Sequence, residues 1–271
     1  MTAPASSNAP TSLSPADPAL LGRYVWHELL VPDTAQATAF YPAVAGWTVT
    51  TMEVPGSPRP YTLFNNGTQG VGGIQQYPAD VKGTPRWVPY MATDDADRTC
   101  RDATKAGATV HMPPTDIPTV GRIAVLADPQ GAMFAIIRPF PKGTAEQVPG
   151  EGEFAWHEMT CDDPDASFAF YQGLFGWQKQ RAMDMGAAGT YQIYGRGEFS
   201  YGGFMRGAAE MPPSTWYCYV RVADLDAAVD AVKRAGGTIM MGPVDVPNDD
   251  RVAIGTDNQG AIVAFVARAR K

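Results

Sequence analysis

Alternation and helical spacing follow one another along the chain and predict its elements. Residues 24–31 (YVWHELLV) read as a strand, with Trp26, Glu28 and Leu30 on one face and His27, Leu29 and Val31 on the other. Asp33 stands where a helix N-cap belongs. Behind it Ala37, Phe40, Tyr41 and Val44 recur at i, i+3, i+4 and i+7, one face of a helix that reaches Gly46. Strands are predicted around residues 46–53, 60–65 and 70–77. The pattern then restarts with a strand at Arg86–Ala92 and a helix from about Asp95 to Ala106, closed by Gly107. Strands near Val110, over Arg122–Leu126 and over Ala132–Arg138 follow. The order is βαβββ, written twice.

The whole arrangement then recurs. Trp26-His27-Glu28 returns as Trp156-His157-Glu158, Phe40-Tyr41 as Phe170-Tyr171, and Gly46-Trp47 as Gly176-Trp177. Tyr61 returns as Tyr191 and Gly72-Gly73 as Gly202-Gly203, all at an offset of 130. After one deletion the offset is 129: Trp87 matches Trp216, Tyr90 matches Tyr219, Arg122 matches Arg251, and Asp128-x-Gln-Gly-Ala matches Asp257-x-Gln-Gly-Ala. Asp163 caps the second copy's first helix with Pro164 at its first position, where a missing N–H costs nothing. The chain reads as a tandem duplication, residues 21–138 and 154–271, joined by a Pro- and Gly-rich linker at 139–153 and preceded by a disordered Ala/Ser/Pro-rich segment at 1–20.

These motifs in this order, FY…GW after the first helix and D-x-x-G before the last strand, resemble the vicinal-oxygen-chelate superfamily of glyoxalases, bleomycin-resistance proteins and extradiol dioxygenases. The doubled form resembles its two-copy hydroxylase-like bacterial branch. The resemblance implies an α+β fold, a tandem duplication of a glyoxalase-like domain whose four βαβββ modules form two open eight-stranded cups with ligand inside. It also implies a divalent metal held by His, Gln or Glu. The positions matching those ligands hold Trp26, Val88 and Ala135 in one copy and Trp156, Tyr217 and Ala264 in the other. None of these side chains coordinates a divalent cation, so no metal and no other cofactor is expected in either cup.

Parity places Glu28 and Glu158 inside the cups. A carboxylate among apolar walls has a raised pKa and serves as a general base or a hydrogen-bond acceptor, which makes these two the catalytic candidates. The ligand-binding candidates are Trp26, Trp156, Tyr61, Tyr191, Trp87, Trp216 and Tyr217, which offer stacking and apolar area, with Arg122 and Arg251. Those two arginines also have a structural reading, as partners of Asp116 and Asp245. His27 and His157, on the opposite parity, read as hydrogen-bonded core histidines beneath the helices, and His111, facing Met240 in the alignment, as incidental. Gly72-Gly73 and Gly202-Gly203 mark a bulge or a close approach by ligand or neighbouring strand.

Charge and composition narrow the partners. Among 271 residues, Lys+Arg number 21 against Asp+Glu 28, a net charge of −7. That balance argues against nucleic acid and against docking to an anionic membrane. No apolar run approaches the ~20 residues of a membrane helix. Cys100, Cys161 and Cys218 form no paired spacing, as expected for thiols in a reducing cytoplasm. The expected protein is cytoplasmic, a monomer or homodimer, and binds a small aromatic or oxygen-bearing molecule. The alternative is a metal-independent lyase, isomerase or hydroxylase-like enzyme with Glu28 or Glu158 as base.

Overall fold

A computed structural model describes residues 20–54, 60–77, 83–139, 146–207 and 214–269. The segment expected to be disordered lies, up to residue 19, outside the described residues, as does part of the linker at 140–145. The first copy runs β1 (Tyr24–Val31), α1 (Thr34–Ala45), β2 (Thr48–Met52), β3 (Tyr61–Asn66), β4 (Gln69–Gln76), β5 (Arg86–Ala92), α2 (Ala96–Lys105), β6 (Thr109–Ile117), β7 (Gly121–Ala127) and β8 (Met133–Pro139). The second copy repeats it. Its first module is β9 (Phe154–Cys161), α3 (Pro164–Phe175), β10 (Gln178–Asp184), β11 (Thr190–Arg196) and β12 (Phe199–Arg206). Its second is β13 (Thr215–Arg221), α4 (Leu225–Arg234), β14 (Thr238–Val246), β15 (Asp250–Thr256) and β16 (Ile262–Arg268).

The helix signals act as the sequence suggests. Asp33 accepts from the amides of Ala35 and Gln36, and Gly46 ends α1 in the left-handed region at φ 72°. Asp163 and Asp224 cap α3 and α4 in the same way.

Each copy contributes one mixed eight-stranded sheet, ordered β2-β3-β4-β1-β5-β8-β7-β6 and β10-β11-β12-β9-β13-β16-β15-β14. The two modules of a copy therefore join through β1–β5, or β9–β13, antiparallel at the centre. The fold is α+β, four βαβββ modules in two curved eight-stranded cups. The helices cover one face of each sheet, and the facing concave side carries its own small apolar cluster: Val88, Tyr90, Ile123, Ala135 and Ile137 in the first cup, Tyr217, Tyr219, Ile254, Ala264 and Val266 in the second.

The helix-bearing faces of the two copies meet. A single core runs through both, from Leu29, Phe40 and Trp47 to Phe154, Tyr171, Trp177 and Phe204, with α1 against α4, α2 against α3 and β5 against β13. The motifs that mark the repeat are the residues that make this junction. The Tyr41 hydroxyl donates to Asp257 Oδ2 and the Tyr171 hydroxyl to Asp128 Oδ2, both at 3.1 Å. The indole of Trp47 donates to the Gly152 carbonyl and that of Trp177 to the Gly22 carbonyl, both at 2.8 Å. Gln130 and Gln259 each exchange two hydrogen bonds with the backbone of the other copy's helix cap, Asp163 and Asp33. Apart from the bond of Trp47 to Gly152 in the linker, each of these contacts crosses from one copy to the other. Trp87 and Trp216 complete them by donating to the hydroxyls of Tyr41 and Tyr171.

Candidate functional site in the two cups

β1 and β9 sit at the centre of their sheets, so residues of the right parity project from the floor of each cup. In the first cup Glu28 is 3% exposed and accepts from the Tyr61 hydroxyl at 2.6 Å and the Trp26 indole at 3.4 Å, both on Oε2. Trp26 also donates to the Tyr61 hydroxyl. Glu28 Oε1 is buried and has no hydrogen-bond partner. The second cup repeats the motif with Tyr219 as the second donor in place of the indole: Glu158 Oε2 accepts from Tyr191 at 3.0 Å and from Tyr219 at 3.3 Å, while Trp156 donates to Tyr191. Among the described residues no cation stands against either carboxylate. Burial pushes Glu28 up to about 8 and Glu158 up to about 7, against the pull of their hydrogen bonds. It also raises the Tyr61, Tyr90, Tyr191 and Tyr219 phenols, and the carboxylates beside them add to the rise.

The glycine pairs make this arrangement possible. Glu28 lies beside Gly73, and Glu158 beside Gly203, in parallel register. A Cβ at Gly73 would overlap the Tyr61 hydroxyl, and one at Gly203 the Tyr191 ring. The preceding glycines, Gly72 and Gly202, face the carbonyl oxygens of His27 and His157. The close approach foreseen for these glycines is made by the chain's own tyrosines and strands.

Of the residues singled out from sequence, the structure brings Trp26, Glu28 and Tyr61 together in one cup and Trp156, Glu158, Tyr191 and Tyr217 in the other. It separates four others from them. Trp87 and Trp216 point to the opposite side of β5 and β13, into the core between the copies. Arg122 and Arg251 lie on the helix-bearing side as well. Arg122 grips Asp97 of α2 through two bonds of 2.7 and 3.0 Å and also meets Asp116; Arg251 does the same with Asp226 and Asp245. The structure thus places these four away from the cup carboxylates, in core packing and ion pairs. Tyr90 and Tyr219, which the sequence marks only as a repeat pair, prove to be cup residues. Their signal was parity with Val88 and Tyr217. Because the Arg122 cluster is partly exposed, Arg122→Gln should cost about 1 kcal/mol or less. It should also leave ligand affinity unchanged, which a melting curve and a titration on one sample would check.

The sequence matches the Glyoxalase/Bleomycin resistance protein/Dioxygenase superfamily over residues 22–136 and again over 153–265. The chain belongs to that superfamily. Among relatives of this superfamily member, CFP32 of Mycobacterium tuberculosis, which carries a provisional glyoxylase name, is 30% identical over 246 residues, covering 90% of this chain and 94% of its own. The anthracycline biosynthesis protein DnrV of Streptomyces peucetius is 31% identical over 255 residues, covering 89% and 91%. Among solved structures, the 2,3-dioxygenase LapB of Pseudomonas sp. KL28 superposes with a TM-score of 0.64 at 12% identity, over 93% of this chain and 94% of that one. The Mn(II)-bound glyoxalase of Novosphingobium aromaticivorans gives 0.61 at 16%, over 93% and 83%. At such identities the likeness is one of fold.

A divalent metal, which that resemblance implies, does not fit either cup of this superfamily member. The matching positions present an indole N–H that donates, at Trp26 and Trp156, and the buried side chains of Val88, Ala135, Tyr217 and Ala264. What remains is one carboxylate ringed by hydrogen-bond donors. The broader expectation of a chain without metal ligands does need correction. Among the described residues one group could hold an ion: His27, His157 and Cys218, all buried, with ligand atoms within 4.8 Å of one another. The group lies between the copies, on the face of β1 and β9 turned away from the cups. Its histidines are hydrogen-bonded core residues, as parity suggests, but their partner is each other, Nε2 to Nε2 at 2.7 Å.

Proposed function

We propose that this superfamily member binds a small aromatic, oxygen-bearing molecule in its cups, with Glu28 and Glu158 as the polar anchors. The observation that carries the reading is the buried carboxylate without a cation. Such a group, among Trp and Tyr donors on an otherwise apolar floor, costs stability unless it has a use. Trp26 and Trp156 then supply the flat apolar contact. The name of DnrV, a relative in anthracycline biosynthesis, supports a polycyclic aromatic ligand. The first cup is the stronger candidate. Its Glu28 Oε1 lacks a partner, which suits a ligand hydroxyl, and Val88 stands there in place of the bulkier Tyr217.

A thermal-shift screen of hydroxylated aromatic ketones and quinones, followed by calorimetry, tests this reading. A ligand at a hundred times its Kd should stabilise the fold by about 2.7 kcal/mol. Glu28→Gln keeps the shape and removes the titratable carboxyl, so it should hold or raise the melting temperature while weakening binding about tenfold. A carboxylate kept only for structure behaves oppositely: stability drops by several kcal/mol and affinity does not move.

A further inference from the structure

The cluster between the copies is placed by the duplication itself. β1 and β9 are equivalent strands with their helix-bearing faces opposed, so His27 and His157 meet head on and stack at 13° between their rings. Each is clamped by an aromatic from the start of the other's strand. Phe154 lies 3.7 Å from the His27 ring, and Tyr24 lies 3.5 Å from the His157 ring and parallel to it. Each imidazole has a second bond, to the backbone of Val71 for His27 and of Tyr201 for His157, of the kind that favours a ring N–H. The two Nε2 atoms face each other at 2.7 Å in a dry core, with the Cys218 sulfur within 4.8 Å of both.

We propose that His27 Nε2, His157 Nε2 and Cys218 Sγ form a buried three-coordinate site for one monovalent copper ion at the junction of the two copies. Two imidazoles and a thiolate are a soft donor set that favours copper. The metal group gains no fourth His, Cys, Asp or Glu among the described residues, whereas a structural zinc site takes four. Trigonal bonds of about 2.0–2.1 Å to nitrogen and 2.3 Å to sulfur would set the nitrogens about 3.5 Å apart and the sulfur about 3.8 Å from each. The rings must therefore part by roughly 0.8 Å, and the sulfur, within 4.8 Å of both nitrogens, must close to about 3.8 Å. On binding, the Cys218 S–H bond breaks, its proton leaves to solvent, and an S–Cu bond forms with no change of oxidation state. The thiol matching Cys218 is absent from the other copy, where Pro89 stands, so one ion per chain is expected, not two. The ion would clasp the copies together, away from the cup carboxylates.

Because the site is closed, copper must enter as the chain folds. The full-length, untagged chain is refolded anaerobically with Cu(I), and the product is assayed by elemental analysis and near-ultraviolet absorption. One copper per chain, a thiolate-to-copper band and a raised melting temperature are expected. Cys218→Ala, a small change at a buried position, should still fold, lose the band and bind Cu(I) more than about 100-fold more weakly, beyond the loss seen for a merely supporting residue. His27→Gln should do the same. A folded wild-type chain that takes no copper overturns the proposal and leaves a plain imidazole–imidazole hydrogen bond. So does copper binding that Cys218→Ala leaves unchanged, or zinc held at these residues in preference to Cu(I).

Discussion

Trp177→Ala should unfold both copies together, at a cost of about 3–5 kcal/mol, the range for removing a large aromatic from a packed core. Trp177 is fully buried and follows α3 in the second copy, but its indole N–H reaches back to the Gly22 carbonyl of the first. Around it stand Tyr171, Phe175, Tyr194 and Trp216, all of the second copy, and Tyr24 of the first. The cavity therefore opens in the core shared by the two halves, and the lost hydrogen bond is one that joins them. Calorimetry should show a single transition, displaced to lower temperature, with calorimetric and van't Hoff enthalpies in agreement. Two separate transitions, with only the second copy's displaced, would mean that the copies fold independently and that the common core contributes little.

The same geometry explains what the sequence shows and what it hides. Helices betray themselves through their Asp caps, closing glycines and apolar spacing, all local signals. Parity along β1 and β9 is also local, and it correctly sends Trp26 and Glu28 one way and His27 the other. Along β5 the parity signal fails: Trp87 through Ala92 are all buried, because a central strand covered on both faces shows no alternation of polar and apolar positions. Which side of that strand belongs to the cup depends on the other copy. Only the ligand slot at Val88, which the resemblance supplies, separates the cup residue Tyr90 from Trp87 by parity. Arg122 is hidden differently. Its neighbour Asp116 suggests an ion pair, but the main partner, Asp97, comes from α2 and enters only through packing. The junction is the least legible part. Tyr41 pairs with an aspartate 216 positions away, and His27 and His157 stand 130 apart with Cys218 further on, a spacing that matches no metal motif. Repetition flags these residues as constrained, yet only the opposed faces of two copies reveal that the constraint is contact between them.

Asp128 offers the sharpest test of that constraint. It is 3% exposed; its Oδ1 accepts the amides of Gln130 and Ala132, each at 2.9 Å, and its Oδ2 accepts the Tyr171 hydroxyl from the other copy. Asp128→Ala strands two amide donors and a phenol in the core. At about 1–3 kcal/mol for each unmade bond, with water reaching some of them, a loss of about 3–5 kcal/mol is expected. Asp128→Asn keeps Oδ1 and disturbs only the bond across the junction, so it should cost about 1–2 kcal/mol. A double-mutant cycle with Tyr171→Phe isolates that bond and should return a coupling of about 1 kcal/mol. Zero coupling would mean the cross-copy bond contributes nothing. The pH dependence carries its own sign. Burial raises the Asp128 carboxyl above its usual range in spite of its hydrogen bonds, so the folded chain holds this proton more tightly than the unfolded chain does. Its contribution is then fully present below the unfolded value of about 3.9 and is lost as pH rises through the raised folded value. Relative to Asp128→Asn, the wild-type chain should therefore lose stability over that interval and run parallel above it. A wild-type chain that instead gained stability relative to the Asn variant over that interval would show that the hydrogen bonds from Tyr171 and the loop amides outweigh the cost of burying the charge.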